Sequence, residues 1–327
     1  GVIRQAALAD FTGDRTPSLL ALSAAGDPTF YTGLGSTPAS AGTGVLGITT
    51  NEAVAAADLD GDGLGAGAFF SGSGNFALLA GRATPSSPIS WSKSLTVFPN
   101  TGLLYGDGDF CSSGDVNNDG FPDFFYHYGG GELFLSNGDG TYAANARGIS
   151  VTTGATAKMG SAWADFNNDG WLDLFVCKRS GAGASLWVNP GATGSFTNQA
   201  VARGINPASG TVGCCWGDFD NDGDLDLFVT LASGQSILYV NSGAPAYTFT
   251  ADLLQGVSLD GRGGDCVFAD FNNDGNLDLA VSGESTASYP TTLFLNQRTS
   301  PNFLARRCCC SRWRMRVSSA SAFRMAC

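Results

Sequence analysis

The strongest constraint on the fold of this chain is an acidic segment that recurs along it. The segment ADFNNDGWLDLFV at 164–176 returns as GDVNNDGFPDFFY at 114–126, GDFDNDGDLDLFV at 217–229 and ADFNNDGNLDLAV at 269–281. Weaker copies are ADFTGDRTPSLLA at 9–21 and ADLDGDGLGAGAF at 57–69. The acidic parts begin 48 to 57 residues apart, at Asp10, Asp58, Asp115, Asp165, Asp218 and Asp270. Self-similarity at this period is typical of propellers, solenoids and other repeat arrays.

Each repeat also contains short runs that have the composition of β-strands. In the fourth copy they cover 160–164, 172–177, 184–189 and, more weakly, 196–200, with Gly, Asn, Asp or Pro between them. Four antiparallel strands in a unit of about 50 residues form the blade of a β-propeller. We therefore predict an all-β fold, a β-propeller of four-stranded antiparallel blades over residues 1–300. Six repeats are visible, which predicts six blades, or seven if both termini complete one more.

The charge of the chain is concentrated in the repeated loops. Its formal net charge is −12, and 19 of its 29 acidic residues lie at equivalent positions of the six loops. A merely solvated surface would scatter its acids, so the pattern favours bound cations. The same acids argue against a nucleic-acid partner, since they would repel phosphate.

The spacing of oxygen donors in each loop indicates which cation it would bind. Counted from the first Asp, carboxylate or amide side chains stand at positions 1, 3, 5 and 9, position 7 offers a backbone carbonyl, and Gly at position 6 permits the turn. Calcium takes about six to eight oxygen ligands, whereas magnesium prefers strict octahedral geometry and zinc prefers His or Cys. An EF-hand would need Glu at position 12, where the fourth copy has Val176. Calcium is the predicted ion.

The four complete loops predict about four calcium sites. The predicted ligands are Asp115, Asn117, Asp119, Phe121 and Asp123 in the third copy, Asp165, Asn167, Asp169, Trp171 and Asp173 in the fourth, Asp218, Asp220, Asp222, Asp224 and Asp226 in the fifth, and Asp270, Asn272, Asp274, Asn276 and Asp278 in the sixth. Without metal these carboxylates would repel one another at short range, so we expect an empty loop to be poorly ordered.

The first two loops are incomplete. The second keeps Asp58, Asp60 and Asp62 but has Ala66 at position 9, which predicts a weak fifth site. The first has Arg15 in place of Gly and Ser18 in place of the last Asp. We predict no metal in the first loop, because Arg15 could neutralise it internally.

These loops resemble those of the FG-GAP or VCBS repeat proteins, whose calcium-loop propellers include the integrin α-subunit head. The resemblance covers about residues 1–300. The segments LFLSNGDGTYAANARGI and LFLNQRTSPNFLA are further similar to the cartilage acidic protein and ASPIC/UnbV group, in which the last blade leads into a small C-terminal β domain. Members are typically extracellular or envelope-associated. The resemblance therefore implies calcium-stabilised adhesion or scaffolding outside the cell or at its surface.

Both ends of the chain depart from this pattern. Residues 301–327 carry six arginines and no acid, which suits either a basic tail for an acidic polymer or phospholipid or an altered reading frame. We predict that this tail is disordered or aberrant. The chain begins with Gly1 and has no apolar run of about 18 residues, so we expect a processed or incomplete chain without a transmembrane segment.

Cysteine and histidine residues give weaker signals. Cys111, Cys214 and Cys266 each stand four residues before the first Asp of a loop, which predicts a small buried core residue. A disulfide between such equivalent sites would need Cα atoms within about 7 Å, and the neighbours Cys214 and Cys215 would form a strained ring. The single histidine, His127, has no nucleophile motif beside it, so we predict no catalytic role.

Three functions are compatible with these residues. The first is a non-enzymatic scaffold or adhesion protein that binds a protein or glycan partner through loops on a propeller face. The second is a lectin, in which exposed rings among Trp163, Trp171, Trp187 and Trp216 stack on sugars, although such rings usually fill the space between blades. The third is a polysaccharide-active enzyme, for which the sequence shows no paired acids outside the loops.

Overall fold

The fold was analysed in a computed structural model. It describes residues 3–16, 18–23, 29–32, 39–42, 53–59, 63–70, 76–81, 90–94, 110–128, 130–144, 147–151, 160–178, 183–206, 210–232, 234–252, 263–283, 292–296, 303–307, 315–318 and 322–325. The chain divides into two compact units, residues 1–158 with 192–195 and residues 159–191 with 196–327. Each unit is described separately below.

The first unit contains three four-stranded sheets among its described residues. Their strands are β1 (Ile3–Ala9), β2 (Ser18–Ser23), β3 (Thr29–Thr32) and β4 (Ala39–Gly42); β5 (Ala53–Ala57), β6 (Ala66–Phe70), β7 (Phe76–Gly81) and β8 (Ser90–Ser94); and β9 (Phe110–Gly114), β10 (Asp123–Tyr128), β11 (Gly130–Ser136) and β12 (Tyr142–Ala144). In each sheet the strands are hydrogen-bonded in chain order and antiparallel. The first strands contact one another, β1 with β5 and β5 with β9.

The second unit contains three further four-stranded sheets and a hairpin in the part of the chain that is described. The strands are β13 (Ser161–Ala164), β14 (Asp173–Val176), β15 (Ser185–Val188) and β16 (Thr197–Asn198); β17 (Thr211–Gly217), β18 (Asp226–Leu231), β19 (Ile237–Asn241) and β20 (Phe249–Asp252); β21 (Gly263–Ala269), β22 (Asp278–Gly283), β23 (Thr292–Asn296) and β24 (Phe303–Arg307); and the hairpin β25 (Met315–Ser318) and β26 (Ala322–Met325). Here too the first strands meet, β13 with β17 and β17 with β21.

This architecture confirms the predicted fold class. The chain is all-β, and its sheets are the four-stranded antiparallel blades of a β-propeller. The fourth repeat shows how closely the sequence marks the strands, since the predicted runs 160–164, 172–177, 184–189 and 196–200 contain β13 to β16. How many blades complete a ring stays a prediction.

Blades are held together by strands whose side chains are buried on both faces, as in β14, β15 and β18. In the second unit Phe228 and Leu238 from one blade pack with Leu279, Val281 and Phe294 from the next in a single buried cluster. A sheet has two faces and a lone blade would leave both in water, so stacking against neighbours is what buries them. Position 2 of the loops is also apolar and buried, since Phe11, Val116 and Phe166 are 0% exposed.

The C-terminal boundary differs from the one predicted at residue 300. The strand β24, Phe303–Arg307, pairs with β23 as the fourth strand of the last blade. The boundary therefore cuts through a sheet, because the sequence there lacks the acidic loop that marks the other blade edges. The hairpin β25–β26 also lies within the predicted tail. Cys308, Cys309, Cys310 and Cys327 lie outside the described residues.

Candidate metal centres

The four complete loops share one backbone conformation. Position 4 has a positive φ of 54° to 60° at Asn118, Asn168, Asn221 and Asn273, and position 6 is a glycine whose φ is also positive. Asn tolerates the left-handed region better than other residues with a side chain, and Gly enters it freely. Two left-handed residues two positions apart fold the chain into a tight ring of side chains. The sequence analysis explained position 6 and missed position 4, although Asn in all four copies was the available signal.

Hydrogen bonds to the first and fifth positions close each ring. In the fourth loop the Asp165 carboxylate accepts hydrogen bonds from the Asp169 N–H at 2.9 Å and the Gly170 N–H at 2.7 Å. Asp169 in turn accepts one from the Trp171 N–H at 2.9 Å. The same three bonds recur in the third, fifth and sixth loops. In the third, fourth and sixth loops the Asn at position 3 also donates its amide N–H to the position-5 carboxylate.

The aspartate at position 9 has a different environment from the others. Asp123, Asp173, Asp226 and Asp278 begin the second strand of their blades and are 0 to 1% exposed. Asp226 accepts hydrogen bonds from the Phe219 N–H at 2.9 Å and, from the third strand, the Asn241 N–H at 2.8 Å. Asp123 and Asp278 make the equivalent pairs. This residue thus fastens the loop to the sheet, a role that the sequence analysis did not assign to it.

Asp173 is the exception among these four. Its Oδ1 accepts a hydrogen bond from the Asn189 N–H at 2.8 Å, but its Oδ2 is buried and makes no hydrogen bond of normal geometry. The Phe166 N–H lowers its pKa, so that donor is close without being well aligned. A carboxylate oxygen buried at this depth needs a full partner.

Burial raises the pKa of these carboxyl groups. It raises the pKa of Asp123 to about 6, that of Asp226 to about 7 and that of Asp173 to about 8, against the opposing effect of their backbone hydrogen bonds. Neighbouring loop aspartates raise all three further. Burial also raises the pKa of Asp278. Each carboxylate is therefore costly to keep charged unless a positive charge joins it.

The fifth loop brings three carboxylates together. Asp218, Asp220 and Asp222 each offer an oxygen atom within 4.8 Å of the other two. Burial, followed by the charge of Asp222, raises the pKa of Asp220. The donor set is oxygen alone, which suits a hard divalent ion. Asp226 does not belong to this cluster, since its oxygens are turned to the backbone.

Position 7 divides the four loops into two kinds. Phe121 and Trp171 are half-buried, and their rings lie beside Gly138 and Gly191 in the outer turns of their blades. Asp224 and Asn276 are instead hydrogen-bonded to asparagines of the preceding loop, Asn168 Nδ2 to Asp224 at 3.0 Å and Asn221 Nδ2 to Asn276 at 3.3 Å. Position 4 thus links one loop to the next in the second unit.

Asparagine at the end of the third strand makes a second link between loops. Asn241 Nδ2 donates to the carbonyl of Leu225 in its own loop at 3.1 Å and to that of Phe166 in the preceding loop at 3.0 Å. Asn296 repeats this with Leu277 and Phe219. The Oδ1 of Asn241 accepts the Gly243 N–H in the outer turn of its blade. Asn241 thus joins its own outer turn to the preceding blade.

The incomplete loops are arranged differently. In the first, Thr12 Oγ1 lies 3.1 Å from Asp10 and 2.7 Å from Asp14, and Ser18 is buried at position 9. Burial tends to raise the pKa of Asp10, yet the N–H groups of Arg15, Thr12 and Gly13 lower it overall. The Arg15 N–H donates a hydrogen bond to Asp10 at 2.6 Å, so Arg15 acts through its backbone and not as the predicted counter-charge.

The second loop is described only in part. Asp60 and Asp62 lie outside the described residues, and Asp58 accepts the Gly63 N–H at 2.9 Å.

The tryptophan, histidine and cysteine residues considered in the sequence have the following positions in the fold. Trp216 stacks on Phe166 with ring centroids 6.1 Å apart, and Trp187 is buried with its indole N–H donating to Ser185. His127 lies in β10 opposite Phe110. Cys111, Cys177, Cys214, Cys215 and Cys266 are free thiols. No helix in the described part of the chain is long and apolar enough to cross a membrane.

Comparison with known proteins agrees with this geometry. The FG-GAP-like repeat profile matches residues 115–176, 165–229 and 218–281, which together span just over half of the chain. The chain belongs to the FG-GAP-like repeat family. Each match begins at the first Asp of one loop and ends in the second strand of the next blade, so it spans two successive loops.

Relatives of this FG-GAP protein fall in the predicted group. It is 28% identical over 204 residues to mouse cartilage acidic protein 1, covering 59% of this chain and 30% of the relative, and 29% identical over 201 residues to that of Xenopus tropicalis, covering 58% and 31%. The match thus spans about a third of these relatives' length. A solved Agrocybe aegerita lectin, described as recognising non-reducing terminal N-acetylglucosamine, superposes with a TM-score of 0.59 at 18% identity, covering 92% of this chain and 78% of the lectin. This superposition is a likeness of fold.

Proposed function

We propose that this protein is a calcium-stabilised extracellular scaffold or adhesion protein, without catalytic activity, that binds a protein or glycan partner through loops on a propeller face. The observation that carries the proposal is the fifth loop, where Asp218, Asp220 and Asp222 offer oxygen atoms within 4.8 Å of one another. Asp218 is half-buried and Asp220 and Asp222 are exposed. Carboxylates this close repel one another, and a divalent cation between them removes the repulsion.

The residues fit calcium better than other ions. The described loops supply carboxylate and amide oxygens on a ring whose backbone is fixed by hydrogen bonds, and the position-9 carboxylate lies buried beside it. Asp173 Oδ2 in particular is a buried oxygen that lacks a well-aligned donor. Exposed loops with few buried ligands bind calcium weakly, and sites of that kind suit the roughly millimolar calcium outside cells. This is the physical basis for proposing an extracellular location.

In such a protein bound calcium would make the loops more rigid. Bound ions would hold Asp218, Asp220 and Asp222 at fixed positions, and the asparagine links would pass that order to the next loop. Recognition would then fall to the connections between blades, where loops are free to vary.

A thermal melt tests the metal proposal directly. Saturating calcium should raise the Tm by several degrees over the same protein in chelator, because ligand at 100 times its Kd adds about 2.7 kcal/mol per site. Magnesium at equal concentration is the matched control and should give a smaller rise. Equal Tm values in calcium and chelator would contradict the proposal.

A lectin is the second candidate, and one observation favours it. Phe121 and Trp171 are half-buried rings at position 7, each lying against an outer-turn glycine, so the third and fourth blades each present an aromatic ring at an equivalent place. Sugars stack on rings of this kind. Binding to a glycan array that is lost in Trp171→Ala and kept in Trp187→Phe, whose ring is buried, would favour the lectin over a protein-binding scaffold.

A further inference from the structure

Four cysteines lie around the first strand of the fifth blade. Cys214 and Cys215 are neighbours in β17, where they pair with Val229 and Phe228 of β18. Successive side chains of a strand point to opposite faces of the sheet. Because β17 lies between β13 and β21 in the second unit, one thiol faces the preceding blade and the other the following blade.

Cys214 meets Cys177 on the side of the preceding blade. Cys177 follows β14, is fully buried and donates its N–H to the Gly160 carbonyl at 2.9 Å. Gly160 also lies against Cys214, since a Cβ on this glycine would stand 3.3 Å from the Cys214 nitrogen. Near these two cysteines a backbone hydrogen bond joins the two chain segments, because the Thr211 N–H donates to the Lys178 carbonyl at 2.8 Å. In this arrangement the Cys177 thiol lies close enough to Cys214 for their contact to be the largest cause of a raised Cys214 pKa.

Cys215 meets Cys266 on the side of the following blade. Both pack in one apolar cluster with Phe228 and Leu279. The strands β17 and β21 run very close there, because a Cβ on Gly213 would lie 3.0 Å from the Asp265 Cα. Contact with the Cys215 thiol adds to burial in raising the pKa of Cys266, so these two thiols also lie close together. The residues equivalent by repeat, Cys214 and Cys266, are therefore not partners; each is paired with a cysteine outside the repeat pattern.

The arrangement excludes two other uses of these thiols. A soft metal would need three or four converging thiolates, and in the described part of the chain the only group of three possible ligands is the acidic one in the fifth loop. A ring between Cys214 and Cys215 would need both side chains on one face, which a regular strand does not allow.

We propose that Cys177–Cys214 and Cys215–Cys266 are two disulfide pairs that join three consecutive blades when the protein folds in an oxidising compartment. Each bond forms by thiol–disulfide exchange with a small disulfide such as oxidised glutathione. One protein thiolate attacks it and releases one glutathione thiol, and the second protein thiolate then displaces the other. Two protein thiols become one S–S bond, the small disulfide is reduced to two thiols, and two protons move to the released thiols.

Because the four thiols are buried in the folded protein, we expect the two disulfide bonds to form during folding. In the folded protein Cys177, Cys214 and Cys215 are buried, and burial of Cys266 raises its pKa far above the usual range. Thiolate is the attacking form, so oxidation of the finished fold should be slow. During folding the blades meet with their thiols still open to solvent, and exchange is then fast.

Peptide mapping tests both pairs in the full chain. The protein is refolded from denaturant in a buffer of reduced and oxidised glutathione, blocked with N-ethylmaleimide and cut with trypsin without reduction. Cleavage after Lys and Arg places Cys177 in 159–178, Cys214 and Cys215 in 204–262 and Cys266 in 263–298. We expect one species that contains all three peptides and separates on reduction. Tandem fragmentation between Cys214 and Cys215 should assign 159–178 to Cys214 and 263–298 to Cys215.

Three single variants sharpen the result. Cys177→Ala should release 159–178 and keep the link between the other two peptides, while Cys266→Ala should release 263–298 and keep the first link. Cys111→Ala, at the equivalent site of the third blade, is the matched control and should leave the species intact. If a variant fails to fold, the fragmentation of the wild-type species still decides the pairing.

Several results would overturn the proposal. They are four alkylated thiols after refolding in the glutathione buffer, a 204–262 peptide closed on itself, or fragmentation that joins Cys214 to Cys266. A confirmed pair of bonds should also make the Tm of the oxidised protein fall on addition of reductant, and this fall should be absent when Cys177 and Cys266 are both replaced by Ala.

Discussion

The first loop, residues 10–18, and the fifth, residues 218–226, have the same ring closure and different side-chain chemistry. In both loops the carboxylate of the first Asp accepts hydrogen bonds from two later backbone N–H groups. These groups belong to Gly13 and Arg15 in the first loop and to Asp222 and Gly223 in the fifth. The first loop fills its centre with the Thr12 hydroxyl and places Ser18 at position 9. The fifth has five aspartates in nine residues.

The comparison separates two functions of the loop. The backbone ring needs only its first Asp and its left-handed residues, and a neutral hydroxyl can fill it. Repeated carboxylates are therefore not required to make the turn, and they increase the charge that must be balanced. The proposed cation site would be the physical reason to keep them in the fifth loop, and a loop that binds no cation could lose them.

The largest expected effect concerns calcium itself. The double variant Asp218→Asn/Asp222→Asn should bind one calcium ion fewer by equilibrium dialysis and lose part of the calcium-dependent rise in Tm, on the order of 2 to 4 kcal/mol for a well-saturated site. Asp10→Asn/Asp14→Asn in the first loop is the matched control and should change neither quantity. Equal loss in the two variants would remove the distinction between the loops.

The next effect concerns position 9 with the metal removed. In chelator, Asp226→Ala should lower the free energy of unfolding by about 1 to 3 kcal/mol, because the Phe219 and Asn241 N–H groups lose their acceptor. Ser18→Ala in the first loop should change it by less than about 0.5 kcal/mol, since the Ser18 hydroxyl makes no hydrogen bond. Urea unfolding measures both. A similar cost at the two sites would mean that Asp226 is not the fastening residue.

A smaller effect should follow from cutting one link between loops. Asn241→Ala leaves the Leu225 and Phe166 carbonyls without their donor and should cost about 1 to 2 kcal/mol by urea unfolding. The exposed Asn137, at an outer turn of the third blade, is the control, and Asn137→Ala should cost less than about 0.5 kcal/mol. If Asn241→Ala were as mild, the link would carry no measurable stability.

The smallest effects come from the left-handed residues, and they should have opposite signs in the two loops. Arg15 has a φ of 64°, so Arg15→Gly should raise stability by about 0.5 kcal/mol through relief of strain. Asn221 has a φ of 60°, and Asn221→Ala should lower stability by about 1 kcal/mol. Thermal melts in chelator compare them, and the same sign for both variants would contradict this explanation.

Much of the fold could be predicted from the repeats, and the reason is local. Strand runs in the fourth repeat fell on β13 to β16 because short apolar runs and the turn residues between them occupy neighbouring positions in the chain. The last blade edge at β24 was missed, since no acidic loop follows it. The predicted ligand positions followed from the spacing of the oxygen donors in each loop. That spacing could not show that the Asp226 carboxylate faces the backbone.

The amino-acid sequence alone determined the blade unit, the ring of oxygen donors and the glycines that close each turn, because these depend on residues within about ten positions of one another. Tertiary structure alone decided which loop touches which. Asn241 reaches Phe166 across 75 residues, and Cys214 turns to Cys177 while Cys215 turns to Cys266. Such contacts follow from how neighbouring blades stack and from which face of a strand each side chain occupies, and no spacing along the chain encodes that.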